Sequence, residues 1–144
     1  MKKILIMGLP GSGKTTLAKS LVYAVSKAGP TVDWLNADDV RARFEDWDFT
    51  NGGRLRQSER MRDLACAMKS IDYVIADFVC PTEETREAFG ADFVVWMDTI
   101  ASGRFENTNA VFVSPETYDL RITEFGATEK WAAIICAKIM ENNA

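Results

Sequence analysis

The chain has 144 residues, of which 47% are hydrophobic, so it can bury one sizeable core but has little room for a second domain. Its net charge of −4 argues against a broad basic surface that coats nucleic acid, and small anionic substrates fit better than long polyanions. The absence of histidine excludes imidazole bases, imidazole metal ligands and Ser-His or Cys-His nucleophiles.

Strand and helix patterns alternate along the chain. Apolar runs predict strands at 3–7, 31–35, 73–76, 93–97 and 120–123. Helical patterns predict helices at about 14–28, 38–45, 54–70, 82–89 and 127–142. The first, third and fourth strands are apolar on both faces, which is typical of a sheet covered on two sides. This alternation predicts an α/β fold with a parallel sheet, in which ligands bind at the carboxyl ends of the strands.

A glycine-rich loop follows the first predicted strand. Residues 8–16 read G-L-P-G-S-G-K-T-T and contain the Walker A pattern, G-x-x-x-x-G-K-[ST]. Phosphate needs converging backbone N–H donors, a mobile cation and a magnesium ligand, which the glycines, Lys14 and Thr15 supply in turn. We therefore predict a site for a nucleoside triphosphate with Mg²⁺. Its phosphate-binding residues are Gly8, Pro10, Gly11, Ser12, Gly13, Lys14, Thr15 and Thr16.

The motif N-A-D-D-V-R follows the second predicted strand. On a helix, Asp38 and Arg41 share a face. The carboxylate could orient an acceptor hydroxyl towards the γ-phosphate while the guanidinium holds an anionic group, as in a small-molecule kinase. Alternatively, Asn36 and Asp39 only cap a helix. We interpret Asp38 and Arg41, with Lys14, as catalytic residues and leave Asp39 to the cap.

An aromatic residue and several arginines come next. Phe49 stands in an acidic stretch, and Arg54 and Gln57 lie one turn apart on the following predicted helix. Together they could stack on a base and clamp its phosphate. By composition alone such a cluster is a solvated helix face, and Arg56 and Arg62 are interpreted as surface charge.

Asp77 stands at the end of the third predicted strand. An acidic residue in this position after an apolar strand is typical of a magnesium ligand, which binds the ion directly or through water. Asp38 is the competing carboxylate for that ion. The segment 99–109 crosses the top of the site, and its one cation, Arg104, either covers the bound nucleotide and stabilises transferring charge or is an idle surface residue. Phe112 and Pro115 are candidates for adenine recognition by position alone.

Cysteine usage indicates the compartment. Cys66, Cys80 and Cys136 are widely spaced and form no C-x-x-C pair, which is typical of reduced thiols in the cytosol. Gly8 and Pro10 break the first apolar run before it reaches signal-peptide length, and no run approaches the roughly 18 apolar residues of a membrane span. We expect a cytoplasmic protein without a membrane partner.

With these motifs in hand, the chain resembles the adenylylsulfate kinase family of P-loop kinases, from the phosphate loop to about Asp98. The family's D-G-D-N-V-R is similar to N-A-D-D-V-R here, and its D-L-G-F and D-R-x-x-N are similar to D-W-D-F at 46–49 and G-R-L-R-Q at 53–57. Its F-I-S-P resembles F-V-C-P at 78–81, and its strand ending in D-T resembles 93–99. Gln57 stands for Asn, Ala37 for Gly and Cys80 for Ser.

From its length we expect one domain, residues 1–144, and the resemblance implies a three-layer P-loop NTPase fold. Its five-stranded, mainly parallel sheet has the order 2-3-1-4-5, with helices on both faces. The family's lysine-rich lid, K-G-L-Y, has no counterpart, and a short lid region is expected at about 99–113.

The reaction implied is transfer of the γ-phosphoryl of ATP, the co-substrate with Mg²⁺, to the 3′-hydroxyl of adenosine 5′-phosphosulfate, a nucleotide-like anionic acceptor. The resemblance also suggests a homodimer. The implied roles are Asp38 at the hydroxyl, Arg41, Arg54 and Gln57 at the sulfate-phosphate end, and Phe49 and Phe78 on the adenine. Val79 is a further predicted acceptor-binding residue.

Two other functions stay open at this point. Polynucleotide 5′-kinases carry a similar N-x-D-D-x-R motif, although an acidic chain lacks an evident track for a nucleic-acid backbone. A non-catalytic, nucleotide-dependent switch would also tolerate the shortened lid.

Overall fold

The structure is a computed structural model that describes residues 1–103 and 105–141. Strands and helices alternate along it. The strands are β1 (Lys2–Gly8), β2 (Val32–Asn36), β3 (Tyr73–Phe78), β4 (Phe93–Met97) and β5 (Leu120–Ile122). The helices are α1 (Lys14–Ala28), α2 (Ala37–Phe44), α3 (Asn51–Ala67), α4 (Glu83–Phe89), α5 (Glu106–Val111) and α6 (Thr128–Glu141).

The strands form one five-stranded sheet in the order β2-β3-β1-β4-β5. This order confirms the predicted topology. Every neighbouring pair of described strands is parallel, so the sheet is wholly rather than mainly parallel. β1 lies at the centre, and all six residues of β3 are buried, as expected for strands covered on both faces.

Alternate side chains of β1 enter two separate cores. Ile4 and Ile6 pack with residues of α1 and α6 on one face of the sheet. Leu5 and Met7 pack with residues of α3 and with Phe89 of α4 on the other. Burying each of these side chains contributes about 1.5–3 kcal/mol, and the alternation produces the three predicted layers.

Two differences from the predicted elements concern the site. α3 begins at Asn51 rather than 54 because the Thr50 side chain accepts a hydrogen bond from the Gly53 amide and caps the helix. α5 was not predicted, since its six residues, E-N-T-N-A-V, are mostly polar and too few to show helical periodicity. Among the described residues, no helix is long and apolar enough to cross a membrane.

Candidate active site

The loop between β1 and α1 forms a cradle of backbone amides. A Cβ on Gly8 would lie 2.6 Å from the main-chain oxygen of Met97, so the close approach of β1 to that residue requires glycine. Gly13, with φ of 99°, directly precedes α1 and has no side chain to cap the helix. The first amides of α1 therefore point into the loop, where they and the helix dipole favour a phosphate.

Lys14 crosses this cradle. It is buried, and its Nζ donates a hydrogen bond to the main-chain oxygen of Leu9 over 2.9 Å. The loop itself is fixed by two bonds, from Ser12 N to Leu9 O at 3.1 Å and from Thr99 Oγ1 to Ser12 O at 2.8 Å. An ammonium group held among amide donors can neutralise phosphate charge.

Asp77 lies in β3, beside the same loop, and is only 3% exposed. Its carboxylate accepts hydrogen bonds from Trp34 Nε1 at 2.6 Å and from Asn36 Nδ2 at 3.1 Å. Burial raises the pKa of Asp77 to about 6, although these two bonds oppose the rise. Asn36 Nδ2 also lies 3.5 Å from Thr15 Oγ1, so Thr15 and Asp77 both contact the side chain of Asn36.

The hydroxyl of Thr15 and the carboxylate of Asp77 are oxygen donors of the kind that fit Mg²⁺ arriving with a nucleotide. Mg²⁺ usually binds one or two carboxylates, keeps several waters and takes its other ligands from phosphates. Within the described ranges, no three His, Cys, Asp or Glu side chains lie close enough together to hold a metal ion. A nearby cation would also stabilise the ionised form of Asp77, which burial disfavours.

The start of α2 places Asp38 beside this pair. Asn36 Oδ1 accepts a hydrogen bond from the Asp39 amide at 3.1 Å, which is the cap considered from the sequence. Asp38, in the first turn of the helix, is exposed to the solvent-filled space next to the loop. The capping and functional interpretations of this motif are therefore compatible.

Two cavities flank the phosphate loop and share Gly11, Lys14 and Thr15 as lining residues. The first, which we call the α6 cavity, has a volume of about 530 Å³ and extends towards Phe125 and Trp131. The second, the α2 cavity, has a volume of about 600 Å³ and extends towards α2, α3 and α5. Lys14 is therefore part of the wall of both cavities.

The α2 cavity brings together most of the residues assigned to the acceptor. Asp38, Phe49, Arg54, Phe78 and Val79 line it, and Asp77 joins them from β3. These residues come from separate segments that meet at the carboxyl ends of β1, β2 and β3. This is the edge at which ligands bind in parallel α/β sheets.

Arg41 and Gln57 lie behind this cavity and not along its wall. Arg41 is 5% exposed, and its Nη1 donates to the main-chain oxygens of Asp46 at 3.0 Å and Asp48 at 3.2 Å. Gln57 is also buried, and its Nε2 donates to Ala37 O at 3.1 Å. In this structure both side chains therefore donate hydrogen bonds to main-chain oxygens of segments next to the cavity.

Arg54 joins two walls of the α2 cavity. Its Nε donates to Phe49 O at 2.9 Å, and its Nη2 donates to Thr108 Oγ1 of α5 at 3.0 Å. Burial lowers the pKa of Arg54, yet a guanidinium remains charged at neutral pH. A cation thus lies in the wall of a cavity that also contains the carboxylate of Asp38.

Several lining residues were missed from the sequence. Trp47, Phe105, Asn107 and Thr108 line the α2 cavity, and the aromatic residues between charged neighbours were the one available signal. Phe112 does not line the α6 cavity and lies 5.4 Å from the guanidinium of Arg86. Arg104, assigned to the nucleotide from the sequence, lies outside the described residues.

Comparison with known proteins places these features in one family. The family model for adenylylsulphate kinase matches residues 2–99, which is more than half of the chain. A probable adenylyl-sulfate kinase of Aeropyrum pernix is 37% identical over 83 residues, covering 56% of this chain and 45% of that protein. An adenylyl-sulfate kinase of Shewanella baltica is 36% identical over 90 residues, covering 61% and 44%. The chain thus spans less than half the length of these relatives.

Among solved structures, the Mycobacterium tuberculosis APS kinase CysC in complex with AMPPNP and APS has a TM-score of 0.82, with 97% of each chain covered. This likeness, at a sequence identity of 21%, shows a shared fold and no more. That fold, the phosphate loop and the match over residues 2–99 lead to one conclusion. The chain belongs to the adenylylsulphate kinase family.

Proposed function

We propose that the protein transfers the γ-phosphoryl group of ATP to the 3′-hydroxyl of adenosine 5′-phosphosulfate. The observation that carries this proposal is the shared lining of the two cavities by Lys14 and Thr15. With its phosphates on the loop, ATP would place its nucleoside in the α6 cavity, and its γ-phosphate would face an acceptor in the α2 cavity. Family membership then supports a phosphosulfate as the acceptor.

The donor side is built for a nucleotide. The loop amides and Lys14 bind the β- and γ-phosphates. Phe125 and Trp131 line the α6 cavity and offer aromatic faces to the base. We assign the adenine to this cavity in place of the earlier candidates Phe112 and Pro115.

The acceptor side supplies orientation and charge. Asp38 orients the acceptor hydroxyl for in-line attack and accepts its proton as the new P–O bond forms and the bond to the β-phosphate oxygen breaks. Arg54 holds the anionic end of the acceptor, while Phe49, Phe78 and Val79 contact its adenine. Arg41 and Gln57 remain predicted acceptor contacts, and their bonds to the main chain also fix neighbouring segments.

Thr15 and Asp77 are the residues that would hold Mg²⁺. When bound, the ion neutralises charge on the transferring phosphoryl group. The side-chain amide of Asn36 contacts both Thr15 Oγ1 and the Asp77 carboxylate. Most of the rate should come from positioning and fixed charge.

A rate assay with three acceptors tests this proposal. Purified protein with Mg-ATP is mixed with adenosine 5′-phosphosulfate, with a 5′-hydroxyl oligonucleotide or with no acceptor, and the initial rate of ADP release is measured. We expect release that depends on the phosphosulfate. Stimulation by the oligonucleotide alone would indicate an end kinase, and slow release that ignores every acceptor would indicate a nucleotide switch.

The wider setting follows from the same reaction. We propose a cytoplasmic role in sulfate assimilation, supported by the free thiols of Cys66, Cys80 and Cys136. We also propose one domain over residues 1–144, a lid region at 99–113 and a homodimer. Light scattering after size exclusion measures the assembly state.

A further inference from the structure

The segment 45–50 between α2 and α3, here called the α2–α3 loop, carries two rings of the α2 cavity. Trp47 and Phe49 line this cavity and are 53% and 50% exposed. The loop contains no helix or strand. Ordering such side chains only upon binding would weaken the complex, so a loop that is already fixed favours binding.

Three arginines from the flanking helices, Arg41, Arg56 and Arg60, bond to Asp46 in this loop. Arg56 donates to the Asp46 carboxylate through Nε at 2.8 Å and Nη2 at 3.1 Å, and Arg60 Nη1 donates to it at 3.1 Å. Arg41 donates to the main-chain oxygens of Asp46 and Asp48, and the Asp46 amide donates back to Arg41 O at 3.0 Å. Asp46 thus bonds to α2 through its main chain and to α3 through its carboxylate.

The loop also packs closely on the first turn of α3. A Cβ on Gly53 would lie 2.2 Å from the main-chain oxygen of Asp48. Such contact is possible only for glycine. Arg56 Nη2 donates to Asp48 Oδ2 at 3.0 Å and draws the loop towards the same turn.

These bonds determine where Phe49 lies. The guanidinium of Arg41 is 4.3 Å from the Phe49 ring centroid, within stacking distance. The main-chain oxygen of Phe49 accepts the hydrogen bond from Arg54, which continues to Thr108 of α5. A continuous set of contacts therefore runs from Asp46 to the opposite wall of the α2 cavity.

We propose that Asp46 is a positioning residue for acceptor binding. Through Arg56 and Arg60 it fixes the α2–α3 loop, and the fixed loop holds Trp47 and Phe49 in the shape that receives the acceptor. The identity of the acceptor rests on the function proposed above, whereas the order of the loop does not. Arg56, which the sequence suggested to be surface charge, is one of the two arginines in this arrangement.

Asp46→Asn tests the proposal because it removes the charge and keeps the size of the side chain. We expect faster hydrogen exchange at amides 46–50 in the ligand-free protein. We also expect a rise of about tenfold in the KM for adenosine 5′-phosphosulfate, since small misplacements reduce productive binding strongly. The KM for ATP and kcat should stay within about twofold of the unsubstituted values, because Lys14 and Asp38 are not displaced.

Asp63→Asn is the matched control. Its exposed carboxylate pairs with Arg62 on the same helix, so both readouts should be unchanged. If Asp46→Asn does not fold, Arg60→Gln removes one bond to the same carboxylate and is measured in its place. Phe49→Ala combined with Asp46→Asn should raise the acceptor KM by less than the product of the two single effects, because Asp46 acts in part through that ring.

The outcomes separate this inference from the proposed function. Unchanged exchange in the loop, faster exchange without a change in acceptor KM, or additive effects with Phe49→Ala would each overturn the inference. A protein that neither binds nor phosphorylates the phosphosulfate would contradict the proposed function. Faster exchange in Asp46→Asn would then still support the role of Asp46 in fixing the loop.

Discussion

Asp38 and Asp39 are neighbouring carboxylates with different surroundings. Asp38 lines the α2 cavity, while the Asp39 amide completes the helix cap through Asn36. We expect Asp38→Asn to lower kcat at least about a hundredfold, since positioned acid–base groups contribute factors of this size. The KM for ATP should change little. Steady-state kinetics with both substrates varied provides the measurement.

Asp39→Asn is the control for that substitution, because the same charge is lost one residue away. It should leave kcat nearly unchanged, since the cap uses the main-chain amide of this residue. Equal turnover in Asp38→Asn and the unsubstituted protein would show that Asp38 does not act on the hydroxyl.

Gly8 lies so close to the main chain of Met97 that a side chain does not fit there. We expect Gly8→Ala to destabilise the protein by about 2 kcal/mol or more, because the new Cβ meets the main-chain oxygen of Met97 at 2.6 Å. Gly52→Ala is the matched control, since its Cβ would find only ordinary contact, 4.0 Å from Thr50 Oγ1. Urea unfolding at one temperature compares the two, and equal midpoints would contradict the geometry described for Gly8.

At the scale of elements, α5 forms one wall of the α2 cavity through the bond between Thr108 and Arg54. We expect Thr108→Val, which removes the hydroxyl and keeps the shape, to raise the acceptor KM by about fivefold, the equivalent of one lost hydrogen bond. The KM for ATP should be unaffected. Thr123→Val, at an exposed position after β5, is the control. A change confined to the KM for ATP would show that α5 contacts the nucleotide and not the acceptor.

The α2–α3 loop also has an expected acid response. Hydrogen bonds from Thr50, and then from Arg56, lower the pKa of Asp48 to about 2, below the value of about 3.9 typical of an unfolded chain. A depressed pKa stabilises the folded state fully above the unfolded value, and the stabilisation is lost as pH falls from about 4 towards 2.

Asp48→Asn keeps an oxygen for the Thr50 bonds but cannot titrate. The stability advantage of the unsubstituted protein over this variant should therefore be larger at pH 5 than at pH 3. Urea midpoints at the two pH values provide the comparison. An advantage that is constant or grows towards pH 3 would contradict the bonding of Asp48.

Across the whole molecule, the features that repeat or that satisfy a strict chemical need were readable from the sequence. The strands were readable because apolar runs separate cleanly from helical patterns, and the glycine-rich loop has a fixed place after β1. The strand order, which the family resemblance implied, was confirmed. Family membership was likewise confirmed, because the motif spacings extend over residues 2–99.

The remaining parts depend on contacts between distant segments. The six mostly polar residues of α5 gave no periodic signal, and the pairing of Asp46 with Arg56 and Arg60 crosses 10 and 14 positions of sequence. The α6 cavity joins the loop to the residues that follow β5. The predictions of one domain and of the site residues as a set stay predictions.

Transfer of labelled phosphate is the most direct measurement of the proposed reaction. The protein is incubated with Mg²⁺, γ-³²P-ATP and adenosine 5′-phosphosulfate, and the position of the label is determined in the separated products. We expect label on the 3′-oxygen of the acceptor, and none in Lys14→Ala, which lacks the cation of the phosphate loop. Label found only in orthophosphate, or on the acceptor equally with Lys14→Ala, would contradict the proposed function.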